Sequence, residues 1–278
     1  MAADTSGTEG TTGTASAEHT EGIGRWLYVV ARSLDHGVLE GLRGVAGEPV
    51  HAIENEDLVA LVSPASLDEF GEEALHRNLE DLDWLAETAR AHDDVVAAAD
   101  RAAAAVVPLR LATVYLDDDR VRSLLAQRRA DFAAALDLVA GRTEWGVKAY
   151  ADPDELVAAA EPTAGSGGGA GTAYLLKRKA QLSARERAEQ AAADHAGELH
   201  EALAALSVAA RRHPPQDPKL SGRSGWMVLN GAYLVDDARG DEFARTVERL
   251  GADRAGVRLE LTGPWPPYSF AGLEENAG

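Results

Sequence analysis

The sequence predicts an α+β protein made of two ferredoxin-like α/β sandwiches, and three observations carry that expectation. Short aromatic and β-branched runs interleave with stretches of helical periodicity. A glycine-rich break, Gly165-Ser166-Gly167-Gly168-Gly169-Ala170-Gly171, interrupts the chain past its middle. A long Ala/Leu/Glu/Arg/Gln segment follows it, all good helix formers. The expected boundaries are a disordered leader at 1–24, an N-terminal α+β domain at 25–150 and a C-terminal α+β domain at 151–262. The second domain includes a flexible linker at 161–171, and an extended tail runs over 263–278.

In the first domain, Trp26-Leu27-Tyr28-Val29-Val30-Ala31 predicts a strand. A short helix from Asp35 to Arg43 should follow and stop at Gly44 and Gly47. Pro49–Ile53 and Leu58–Val62 read as two strands joined by the polar turn Glu54-Asn55-Glu56-Asp57. Ser66 with Glu69 three residues on has capping-box spacing. It opens a helix whose apolar face would be Leu75, Leu79, Leu82, Leu85 and Ala89. Val95–Ala99 and Val106–Tyr115 read as extended, with Pro108 at a strand start or edge. Asp117 caps a second helix with Val121, Leu124, Leu125, Phe132, Leu136 and Val139 inward, and Gly141 sits where a C-cap glycine belongs. Glu144–Tyr150 closes the order β-α-β-β-α-β-α-β.

In the second domain, Asp152-Pro153 starts a helix, with proline at the first helical position. The long helix should run from Tyr174 to Arg212, with Gly197 as a possible bend, and end at His213-Pro214-Pro215. Trp226–Val235 predicts a strand, Asp241–Leu250 a helix with Phe243, Val247 and Leu250 inward, and Val257–Leu261 a half-buried strand. The tail, Gly263-Pro264-Trp265-Pro266-Pro267-Tyr268-Ser269-Phe270, cannot be helical and favours an extended path. Trp265, Pro266, Pro267, Tyr268 and Phe270 are candidates either to seal a groove of their own chain or to contact a partner.

Composition excludes several functions. There is no cysteine, so disulfides, thiolate metal sites and a cysteine nucleophile are ruled out. The 46 acidic and 27 basic residues leave a net charge of −19, which repels nucleic acid and anionic lipid. The N-terminus lacks the basic and apolar regions of a secretory signal, and no apolar run is long enough to span a membrane.

Several stretches together resemble the gas vesicle protein F/L family, over nearly everything from Trp26 to Phe270. They are Trp26-Leu27-Tyr28, His92, Val107-Pro108-Leu109-Arg110, Gly141 to Lys148, Ala173 to Leu176 before Lys179, Asn230 to Val235, and the closing Thr262 to Phe270. One departure stands out: after Leu109-Arg110 the family commonly shows an aromatic and a glycine, where this chain has Leu111 and Ala112. The resemblance implies a two-domain cytoplasmic protein associated with gas vesicles, accessory or minor structural in role. It also implies contact with the small hydrophobic major shell protein and other accessory proteins, no catalysis and no cofactor.

No other constellation has chemically required spacing. Glu161 to Ala164 is not a strand, so the glycine-rich break reads as linker rather than phosphate cradle. His195 and His200, five apart, point to different helix faces and read as surface residues. His92 is expected to cap the end of a helix. Asp117-Asp118-Asp119 reads as a helix N-terminus before a cation site. Arg110, Glu144 and Lys148 form a buried or interdomain ion pair, or face water at strand ends. Tyr174 and Tyr233 complete the structural candidates. The alternative, a carboxylate- or metal-dependent hydrolase, would require a concave pocket with convergent titratable groups.

Overall fold

The computed structural model describes residues 22–160, 170–215, 225–254 and 256–272. It is an α+β protein with two antiparallel sheets. The expected leader and linker therefore lie, for 1–21 and 161–169, outside the described residues.

Strand β1 (Ile23–Ala31) is the middle of the first sheet. It pairs on one side with β3 (Leu58–Ser66), which in turn pairs with β2 (His51–Asn55). On the other side it pairs with β4 (Val106–Pro108) and β5 (Val114–Tyr115). Trp26 to Ala31 shows no polar alternation because helices cover both faces. On one face α4 (Asp118–Gln127) and α5 (Arg129–Val139) bring Val121, Leu125, Phe132 and Leu136 against Leu27, Val30 and Val62. On the other, α1 (Leu67–Phe70), α2 (Glu72–Asn78) and α3 (Leu82–Ala102) bring Phe70, Leu75, Val95 and Val96 against Trp26 and Tyr28. A register shift between Leu27 and Val29 puts Tyr28 and Val29 in the same core cluster.

Several local expectations are corrected here. The stretch 35–43 holds only a 3-10 turn, His36–Leu39. The helix opened by Ser66 is three helices; Ser66 caps Asp68, but Glu69 accepts from the Trp84 indole at 3.0 Å instead of closing a capping box. Leu79 and Leu82 lie at that break and are exposed. Val95–Ala99 is not extended but the buried face of α3, where an apolar run on a covered helix mimics a strand. The Asp117 cap is present, its carboxylate accepting the Arg120 amide at 2.8 Å. Gly141 takes φ +66 directly after α5, the left-handed geometry that ends a helix most easily without a Cβ.

The second sheet has the order β7-β8-β6-β9, from β6 (Arg142–Ala151), β7 (Ala209–Arg212), β8 (Trp226–Asp236) and β9 (Val257–Trp265). Helices α6 (Pro153–Ala160), α7 (Ala170–Ala204) and α8 (Gly240–Ala252) lie against one face only. Ala184, Ala188, Ala192 and Ala196 recur every four residues along α7 and are all buried, with Leu199 and Leu203 continuing the row. Small side chains on this row let the long helix lie close to the sheet. The helix is continuous through Gly197 but stops at Ala204; 209–212, expected as its last turn, is the edge strand β7. β9 runs four residues beyond the expected Leu261, to Trp265, and Tyr268–Phe270 forms a 3-10 turn, so the expected extended tail is a strand end followed by a turn.

Candidate functional site

The second sheet's other face is covered only in part, by Val139 at the end of α5 and by Phe270, which pack on Ala232 and Leu234. The 268–270 turn follows three prolines within four residues, which stiffen its approach. It reaches three elements at once. The Tyr268 hydroxyl donates to Asp93 Oδ1 on α3 at 2.7 Å. The Ser269 amide donates to Glu144 Oε2 at 2.7 Å, and its hydroxyl to Glu144 Oε1 at 2.6 Å. Phe270 is buried, with the Arg211 guanidinium 5.8 Å from its ring centre. The turn thus ties β6 and β7 of the second sheet to α3 of the first.

Glu144 is only 8% exposed, and burial raises its carboxyl pKa against the lowering effects of the two Ser269 hydrogen bonds and Arg211. Burial, followed by the bond to Asp93, raises the Tyr268 phenol. His92 lies in the interior of α3, not at a helix end. Its Nδ1 accepts the Trp26 indole N–H at 3.0 Å, which leaves Nε2 to donate to the Leu109 carbonyl at 3.2 Å. Burial lowers its pKa, so the ring is held neutral, stacked 5.3 Å from Tyr28 and 6.4 Å from Tyr268. His92 therefore links β1, α3 and the loop after β4.

Of the two readings open for Arg110, Glu144 and Lys148, a buried or interdomain ion pair or strand-end charges facing water, each residue has its own setting. Glu144 gives both oxygens to Ser269, while Lys148 stands opposite Asn230 and Glu260 in the sheet, and Arg110 is exposed on the loop after β4. Tyr233 is fully buried, its hydroxyl 3.0 Å from His200 Nδ1, and burial pushes its pKa up to about 12. That bond makes His200 a half-buried residue, not a surface one. The Tyr233 ring also covers Gly231, where a Cβ would sit 2.7 Å from the hydroxyl oxygen, so only glycine fits. Tyr174 falls within α7. Trp265 is 53% exposed while Pro267 and Phe270 are buried and Pro266 and Tyr268 half-buried.

Ser269, His213 and Glu144 share the same corner, with Ser269 Oγ 3.3 Å from His213 Nε2. The arrangement is not a nucleophile–base–orienter relay. The serine proton is committed to the carboxylate, and no carboxylate among the described residues orients the histidine, so the contact is structural. Among the described residues no group of three His, Asp or Glu side chains is placed to hold a metal. Beside the turn a cleft of about 900 Å³ opens between the two sheets, lined by the loop after β4, α4, α5 and the end of β7.

Sequence reading missed Ser269, Asp93, Arg211 and His213. Ser269 lies inside the motif it singled out, between two aromatics, and Asp93 beside His92; nothing marked Arg211 or His213.

The class so defined is a two-sheet α+β protein whose C-terminal turn locks the sheets together and which carries no recognisable catalytic relay among its described residues. The family model described as "Gas vesicle synthesis protein GvpL/GvpF" matches residues 24–272. Gas vesicle protein L of Streptomyces sp. (strain CB03234) is 44% identical over 252 residues, covering 90% of this chain and 94% of that protein. Gas vesicle protein F of the same strain is 30% identical over 260 residues, covering 88% and 98%. The crystal structure of the gas vesicle protein GvpF from Anabaena sp. PCC7120 has the same fold at a TM-score of 0.64 and 20% identity, covering 90% and 96%. The chain belongs to the GvpL/GvpF family of gas vesicle proteins. Membership supports a role in gas vesicle formation.

In the loop after β4, Ala112 has φ +67, a left-handed backbone geometry that glycine adopts with less strain than alanine. The loop carries that steric cost.

Proposed function

We propose that this protein supports gas vesicle assembly by binding the small, hydrophobic shell protein, together with other gas vesicle accessory proteins, and that it does so without catalysis or cofactor. The exposed indole of Trp265 carries this reading. Of the large hydrophobic side chains exposed among the described residues, it is the only aromatic one. It ends the edge strand β9 between Pro264 and Pro266, on a backbone that loses little freedom when it docks. Tryptophan so placed is a strong interface anchor. The net charge of −19 keeps the rest of the surface soluble while a greasy partner is held.

The second sheet keeps the ferredoxin-like order, with its third and first strands central and helices on one face, and this supports a ferredoxin-like C-terminal domain that takes in its first strand, β6, from the residues before 151. The first sheet repeats that order, to which α4 and α5 add a third layer. The other domain is the part of 25–150 that precedes β6, and the protein works in the cytoplasm at the gas vesicle. No helix among the described residues is long and apolar enough to cross a membrane.

The test is co-purification of the full chain with the shell protein, and vesicle yield in cells, for the native chain and Trp265→Ala. Loss of shell-protein capture and fewer vesicles, with unchanged thermal stability, are expected. Equal capture and equal vesicle numbers would overturn the role of Trp265.

A further inference from the structure

The cleft between the sheets has a charge opposite to that of the molecule. Arg110, Arg128, Arg211, Arg212 and His213 line it, and among the described residues no Asp or Glu does, in a chain of net charge −19. The four arginines come from three separate places: the loop after β4, the α4–α5 junction and the end of β7. Two are held from behind: Arg128 pairs with Asp131 at 3.0 Å, and Arg211 stacks on Phe270. Arg110 and Arg212 are exposed and make no ion pair among the described residues. Between them lie apolar side chains, Leu109, Leu124, Phe132 and Ala271.

We propose that this cleft is a binding site for an acidic peptide segment of a partner protein, with Arg110 and Arg212 receiving its carboxylates. Guanidinium forks match carboxylates two bonds at a time, and converging arginines with an apolar floor suit a segment that mixes Glu or Asp with apolar residues. The cleft has room for several residues, far more than one small ion needs. A phosphate ligand fits less well: the lining has no lysine, and its single glycine, Gly272, makes no nest of backbone N–H groups. The rim includes Ala112, whose left-handed backbone is the kind of strained geometry that persists at ligand clamps. Away from the cleft an acidic peptide meets a repulsive surface, so binding of one reports on this patch.

The site is separate from Trp265, and so is its test. A short fluorescein-labelled peptide of alternating Glu and Leu, and its Gln/Leu counterpart, are titrated with the full chain and followed by fluorescence anisotropy at low and high salt. The Glu peptide should bind at least about tenfold more tightly than the Gln peptide, and weaken with salt. Arg110→Gln with Arg212→Gln should weaken it at least about tenfold, while Arg245→Gln on α8 and Trp265→Ala should not change it. Both cleft arginines are exposed, so the double variant should melt with the native chain; if it does not fold, Arg110→Gln alone and the Glu-against-Gln comparison still decide. Equal affinity for the two peptides, no binding of the Glu peptide, or binding of inorganic phosphate but not peptide would each overturn the proposal.

Discussion

In the first sheet β1 is covered on both faces by helices, α1 to α3 on one and α4 and α5 on the other. In the second, the sheet has helices on one face, while on the other Ala232 and Leu234 of β8 are covered by the end of α5, Ala105 and a phenylalanine from the last described turn. The first half closes its core almost entirely with its own elements, the tail adding only Ala271 and Tyr268 at its edge, whereas the open face of the second sheet relies on Phe270. A side chain from the tail is therefore worth as much there as a helix residue is in the first half. This is also why the GPWPPYSF stretch divides in two: Phe270 and Ser269 complete the core, and Trp265 stays outside it.

The sharpest way to break this comparison is Phe270→Ala. It should cost about 3–5 kcal/mol in chemical denaturation, as a core phenylalanine does. A cost near zero would mean the second sheet closes without the tail. Next is Glu144→Ala, which leaves the Ser269 amide without its acceptor and should cost about 2–3 kcal/mol.

The same residue sharpens the comparison through pH. Burial holds the folded Glu144 pKa above its ordinary 4.5, so its contribution to stability is full below pH 4.5 and is lost as pH rises through the folded value. Glu144→Gln should remove that slope. His92, in the first half, acts the other way. Its folded pKa is held below 6.5, so the native state is at full strength above pH 6.5 and loses stability as pH falls through the folded value. His92→Gln should flatten that limb in urea titrations across pH.

Tyr268→Phe removes the hydroxyl that donates to Asp93 and should cost about 1–2 kcal/mol. Ala112→Gly should stabilise by about 1 kcal/mol, since glycine takes the left-handed geometry freely; a loss of stability would mean that the alanine methyl contributes to packing. Trp265→Ala should change stability by no more than about 0.5 kcal/mol, because the indole is exposed.

Much of the fold was legible wherever a local rule had no competitor. The Asp117 cap, Gly141 after its helix and the Trp26–Ala31 strand follow from short-range chemistry. The failures have two causes: apolar runs whose period cannot separate a buried helix from a strand, as at Val95–Ala99, and helix-forming residues recruited to a sheet edge, as at Ala209–Arg212. The candidate site was legible only as a motif. Its proline and aromatic content announced an unusual terminus, but the acceptor it meets, Glu144, is 125 residues away in the chain.

By itself, then, the sequence determined the class of fold, the family and the stiffness of the last aromatic segment, because proline geometry, helix capping and hydrophobic run length act over a few residues. The tertiary structure alone decided which face each aromatic took, that His92 stays neutral inside a helix, and that four arginines scattered along an acidic chain converge on one cleft. Those outcomes depend on which distant surfaces are brought together to exclude water, and no local window contains that information.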